Sequence, residues 1–150
     1  MNPTPPFDSS AQMSSASYLL AVEDTSFLLR DEMRALRFAL EYAKAELMLR
    51  DWGIRSTIIV FGSARIPSPE LIAGLEAPET QEQRATLARL QRQLRWYEAA
   101  REFARIVSER GGARAPRDRW RDNVIATGGG PGIMEAANRG AWEVGEPSVA

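Results

Sequence analysis

Two glycine-punctuated segments hold the residue types with the clearest chemical implication. Asn123-Val-Ile-Ala-Thr127 runs into Gly128-Gly129-Gly130-Pro131-Gly132, and then into Ile133-Met134-Glu135-Ala136-Ala137-Asn138-Arg139-Gly140-Ala141. Upstream, Ser56-Thr-Ile-Ile-Val-Phe61 runs into Gly62-Ser63. A glycine-rich turn between a strand and a helix lets backbone N–H groups and the helix dipole hold a phosphate. Glycine removes the Cβ that would block the anion and permits positive φ. The spacing departs from the common fingerprints. In a GxGxxG frame from Gly128, Ile133 stands where the third glycine belongs, and no lysine follows as a Walker A loop requires. Spacing alone therefore leaves two readings: phosphate or nucleotide binding by a different loop, or a tight turn with no ligand.

Composition narrows the chemistry further. The 150 residues contain no cysteine and no histidine. That excludes a Ser-His-Asp triad, a thiol nucleophile, a CxxC redox pair, a disulfide framework and an ordinary zinc site. Catalysis would have to use carboxylates, hydroxyls, arginines, backbone dipoles or Lys44, the one lysine. Nineteen basic and 20 acidic side chains give a net charge of −1, so no strong field draws the chain to nucleic acid or anionic lipid. Arg114, Arg117, Arg119 and Arg121 surround Trp120 in a basic stretch that reads as a solvated loop; base stacking by arginine and an aromatic is the alternative.

The surrounding pattern predicts the elements that position these residues. Leu29, Met33, Leu36, Leu40, Ala43 and Leu47 recur at spacings of four and three, which predicts a long N-terminal helix from about Asp24 to Trp52. Its apolar face either packs on the body of the fold or pairs with a second copy of the chain. The unbroken apolar run from Ser56 to Phe61 predicts a strand buried on both faces, as in a parallel sheet. Pro67, Pro69, Gly74 and Pro78 mark an irregular stretch. A second helix is expected from about Glu79 to Arg110, with Trp96, Ala100, Phe103 and Val107 on its buried face. Ile133, Ala137, Gly140, Ala141 and Val144 give the helix after the glycines a small-residue face for close packing. Pro147-Ser-Val-Ala150 looks like the start of a third strand. The order is α/β with a parallel sheet and flanking helices. Residues 1–23, with Pro3, Pro5 and Pro6 followed by serines, read as a disordered tail; residues 24–150 form the domain. The run Tyr18 to Val22 is far short of the roughly 20 residues a membrane span needs, and the first basic residue is Arg30. A cytoplasmic protein without a membrane segment is the expectation.

Val60-Phe-Gly-Ser-Ala-Arg65 and Thr127-Gly-Gly-Gly-Pro-Gly-Ile-Met-Glu-Ala-Ala-Asn-Arg-Gly-Ala141 together resemble the LOG ("Lonely Guy") family. Its members are Rossmann-like nucleotide 5′-monophosphate phosphoribohydrolases, formerly labelled lysine decarboxylases. The resemblance covers about Phe27 to Ala150 and is weakest before Trp96. It implies a homodimer that cleaves the N-glycosidic bond of a cytokinin riboside monophosphate or AMP, without a cofactor or metal. It also implies that Gly62 and Ser63 line the nucleotide pocket and that Gly128, Gly129, Gly130 and Gly132 form the loop beside the ligand. Met134 matches a position near the base, while Glu135 and Asn138 belong to the helix start; Ser63 and Asn138 are equally suited to satisfying local backbone groups. The family's second signature, PGGxGTxxE, carries its catalytic glutamate and does not occur in these residues. The expectation is thus the N-terminal part of such a domain, truncated and inactive by itself. The alternatives are a non-catalytic nucleotide-binding or sensing module, and a helix-mediated interaction protein whose glycine run is only a turn.

Overall fold

The computed structural model describes residues 9–114 and 116–150. The chain divides into two compact units, Met1–Met48 and Leu49–Ala150. The expected disordered tail lies partly outside the described residues. From residue 9 onward the first unit holds a short helix α1 (Ser10–Met13), a 3-10 turn at Ala16–Tyr18, α2 (Thr25–Leu28), a 3-10 turn at Asp31–Met33, and most of α3 (Arg34–Asp51).

The helix expected from Asp24 is therefore interrupted. Asp24 caps α2, its carboxylate accepting from the Phe27 N–H at 2.9 Å, but Arg30 then adopts an extended backbone (φ −61°, ψ 151°). The Arg37 guanidinium donates to the Leu28 and Arg30 carbonyls at 2.6 and 2.7 Å. Those acceptors would serve backbone N–H groups one turn on in an uninterrupted helix, so a side chain stabilises the break. No residue of α3 is buried, and Leu36, Leu40 and Leu47 of the apolar stripe stay about half exposed.

The second unit is mixed α/β. Its elements are β1 (Thr57–Ile59), α4 (Pro69–Ala73), α5 (Gln81–Arg110), β2 (Val124–Ala126), α6 (Ile133–Glu143) and β3 (Ser148–Val149). The strands form one parallel sheet in the order β1-β2-β3, with Ile58 opposite Ile125 and Ile125 opposite Ser148. Inside the stretch expected to be irregular, Ser68 accepts from the Leu71 N–H and Pro69 opens α4, a combination suited to a helix start. Thr80 and Gln83 form a reciprocal capping box at the start of α5. Among the described residues no helix is long and apolar enough to cross a membrane.

Ile58, Val60 and Ile125 pack against Ala104, Ala137, Ala141 and Val107, which puts α5 and α6 on one face of the sheet. A smaller cluster of Ile54, Ala113 and Val124, with Leu49 and Val149, covers part of the other face. Two expectations need correction. The apolar run of β1 is not buried on both faces, because Ile59 and Phe61 are 66% and 68% exposed. The buried side of α5 is formed by Tyr97, Ala104 and Ser108, while Trp96 and Phe103 remain about half exposed. The cause lies across the interface: Gly140 of α6 is pressed against the Arg101 carbonyl and stands where a Cβ would be 3.0 Å from the Arg105 N. Beside this close approach α5 buries Ala104 and Ser108, while Trp96 and Phe103 turn outward.

Polar side chains lock the perimeter. Arg101 binds the Glu143 carboxylate through Nε at 2.8 Å and Nη2 at 2.6 Å, tying α5 to α6. Ahead of β2, Asp122 accepts from Arg55, and from Ser56 Oγ at 3.2 Å, while Ser56 Oγ accepts from the Asn123 N–H at 2.9 Å. The hydrogen bond from Arg55 holds the Asp122 carboxyl below its ordinary range, and that from Arg101 does the same for Glu143.

Two outcomes are expected. Gly140→Ala should lower stability by about 1–3 kcal/mol through overpacking, despite alanine's helix preference of roughly 1 kcal/mol; denaturant unfolding reads the change. Carboxyls depressed in the folded state stabilise it above their unfolded pKa, and that contribution is lost as pH falls through the folded value. The melting temperature should therefore decline below about pH 4, and Asp122→Asn should flatten that decline.

Candidate functional site

The turn after β2 is built by backbone constraints. Gly129 has φ +69° and Gly132 φ +74° with ψ −122°, conformations that side chains disfavour. Gly132 is buried against the Ser63 carbonyl and Ala64, where a Cβ has no room. At this crossing Ser63 O accepts from the Ile133 N–H at 3.3 Å. The segment leaving β1 thereby fixes where α6 begins.

Thr127 fixes the turn from the other side. Its Oγ1 accepts from the Gly129 N–H at 3.0 Å and from Asn138 Nδ2 at 2.9 Å, while Asn138 Oδ1 is buried without a partner. No side chain caps α6. Among the described residues the backbone N–H groups of Gly130, Met134 and Glu135 have no protein acceptor, leaving the N-terminal end of the dipole unanswered.

An open hollow of about 920 Å³ borders this turn, lined by Gly129, Gly130, Pro131, Glu135, Asn138, Arg139, Trp142, Ser148 and Ala150. Of the residues singled out by sequence, Gly129, Gly130, Glu135 and Asn138 meet there. The other five do not line it. Gly62 packs against the Ile133 side chain, Ser63 and Gly132 make the backbone crossing, and Gly128 lies between Phe61 and the Met134 sulfur. Ser63 Oγ also accepts from the Arg65 N–H at 3.2 Å, a local backbone role.

Sequence reasoning missed four contributors. Tyr97 is fully buried, and its hydroxyl donates to Glu135 Oε1 at 3.0 Å. Burial pushes the phenol above its ordinary pKa, opposed by the adjacent Arg139 and reinforced by Glu135, so it remains a donor. Arg139 is held by Glu70 at 2.7 Å and Glu143 at 3.2 Å, and Tyr97 together with Glu70 raises its pKa further. Two carboxylates thus share this guanidinium at the surface of the protein. Trp142, one turn along α6, is 75% exposed beside the hollow. Tyr97 lies 38 residues before Glu135, and no local pattern joins them. Thr127 was nearer to hand, since a threonine before a glycine run commonly closes a side-chain-to-backbone turn.

Among the described residues no group of three or more acidic side chains is placed to hold a metal ion. No protein-family model matches the chain, and neither the curated proteins nor the solved structures provide a match.

Thr127→Val should leave the Gly129 N–H and Asn138 amide without their acceptor at a cost of about 1–3 kcal/mol. Amide hydrogen exchange at Gly129 should accelerate, whereas Thr127→Ser should preserve the slow rate.

Proposed function

We propose that these residues form the nucleotide-holding part of a Rossmann-like nucleotide 5′-monophosphate phosphoribohydrolase of the LOG kind. The observation that carries the reading is the set of unpaired N–H groups at Gly130, Met134 and Glu135, beside a hollow at the carboxyl ends of parallel strands. Ligands of open α/β sheets bind at that edge, and oriented N–H groups at a helix start suit a phosphate. The resemblance of Val60–Arg65 and Thr127–Ala141 to the family's sequence supplies the substrate class, AMP or a cytokinin riboside monophosphate.

In this reading the glycine turn takes the phosphate and the hollow takes the sugar and base. Hydrolysis of the N-glycosidic bond yields free base and ribose 5-phosphate. The step needs a carboxylate against the developing oxocarbenium ion and help for the departing base. Among the described residues Glu135 is the carboxylate side chain lining the hollow, and its Oε1 is already engaged by Tyr97. PGGxGTxxE is absent from the 150 residues, so the reading assigns them binding rather than bond cleavage. Homodimerisation, cytoplasmic location and independence of any cofactor belong to the same proposal. A sensing module without hydrolysis is the second reading, favoured by the tethering of Glu135.

Titration calorimetry with AMP tests the first step. The chain should bind AMP, and Gly130→Asp should weaken binding at least tenfold, about 1.4 kcal/mol, because a carboxylate there repels phosphate and crowds Met134 Cε, which already stands 2.5 Å from where a Cβ would be. Unchanged binding would make the loop assignment wrong. Release of ribose 5-phosphate from AMP by the full gene product separates hydrolase from sensor.

A further inference from the structure

We propose that Glu135, held in place by Tyr97, accepts hydrogen bonds from the ribose hydroxyls and makes the hollow prefer ribonucleotides to 2′-deoxyribonucleotides. The inference rests on the nucleotide reading above and assigns a specificity residue within it.

Glu135 is the third residue of α6 and is exposed at the hollow, where an untethered carboxylate would sample several rotamers. Here it is tethered by a hydroxyl whose own ring is wholly buried between α5 and α6. Glu135 Oε2 takes no hydrogen bond from the described residues. A carboxylate offers about four lone-pair positions, so one bond from Tyr97 leaves most of its accepting capacity unused at the edge of the hollow. An acceptor-only carboxylate repels the phosphate itself, so the part of a nucleotide it can bind is a hydrogen-bond donor away from that anion. In a nucleotide the nearest paired donors to the phosphate are the ribose 2′- and 3′-hydroxyls. Carboxylate recognition of a ribose 2′-hydroxyl is a general solution in dinucleotide-binding α/β folds. Arg139, which also lines the hollow, pairs through Nη1 with Glu70 and through Nε with Glu143, and as a donor-only group it cannot accept from a hydroxyl.

Calorimetric titrations with AMP and with 2′-dAMP give the discriminating quantity, the ratio of the two dissociation constants. The chain should bind AMP about 10- to 100-fold more tightly, the range for a hydrogen bond to a charged group. Glu135→Ala should bring the ratio close to one, chiefly by weakening AMP. Tyr97→Phe, which keeps the buried ring, should narrow the ratio while circular dichroism remains that of the folded chain. Glu135→Gln should give an intermediate ratio. If folded Glu135→Ala retains the original preference, the Tyr97–Glu135 bond only ties α5 to α6 and the proposal is overturned. Equal binding of both nucleotides by the unaltered chain also overturns it while leaving the nucleotide reading intact. Binding of neither removes both.

Discussion

At two places in the second unit, backbone lies directly against backbone with no side chain between. Gly132 meets the Ser63 carbonyl, and Gly140 meets the Arg101 carbonyl. The first contact sets where α6 starts relative to the end of β1. The second sets how near α6 lies to α5. Between them they fix one short helix at both its start and its middle, and the candidate site is one face of that helix. Steric exclusion at two Cα atoms therefore does more to define the site than any single polar bond around it.

The polar groups near the turn divide into those consumed by the fold and those left available. Thr127 Oγ1 serves both the Gly129 N–H and Asn138, and Arg139 is spent on Glu70 and Glu143. Among the described residues, what stays unanswered near the turn is a set of backbone donors, the buried Asn138 Oδ1 and part of one carboxylate. Among the described residues lining the hollow the cation, Arg139, is already paired with Glu70 and Glu143. Affinity for a phosphate would come from fixed dipoles, each worth less than a bidentate arginine. The positive ends of those dipoles and the negative Glu135 lie within the same helical turn, which suits a ligand charged at one end and neutral at the other.

Much of this was legible in the sequence where a signal is local. The glycine run, the proline after it and the alternation of strand-like and helix-like segments place β1, β2 and α6 within a few residues of their observed bounds. The small-residue face of α6 was legible too, because Ala137, Gly140 and Ala141 recur at helical spacing. Long-range choices were not. Periodicity put Trp96 and Phe103 inside, since hydrophobicity ranks them above alanine. The interface instead demanded small volume, a property of Gly140 on another element. The break before α3 was hidden for the same reason: Arg37 reads as part of a charged surface until its guanidinium is seen on the Leu28 and Arg30 carbonyls.

The only partly covered side of the sheet raises a physical question of its own. Parallel sheets ordinarily carry cover on both faces, because their crossover connections lay helices over them. In the second unit α5 and α6 share one face, and Ile59 and Phe61 point away from it with about two thirds of their surface exposed. Transfer of such side chains from water is worth roughly 1.5–3 kcal/mol each, so an uncovered pair is a standing incentive for association. Phe61 also lies against Gly128, at the start of the glycine turn. Any element that settled on Phe61 would press on the turn as well, so cover for the sheet and order in the site are linked through one aromatic ring.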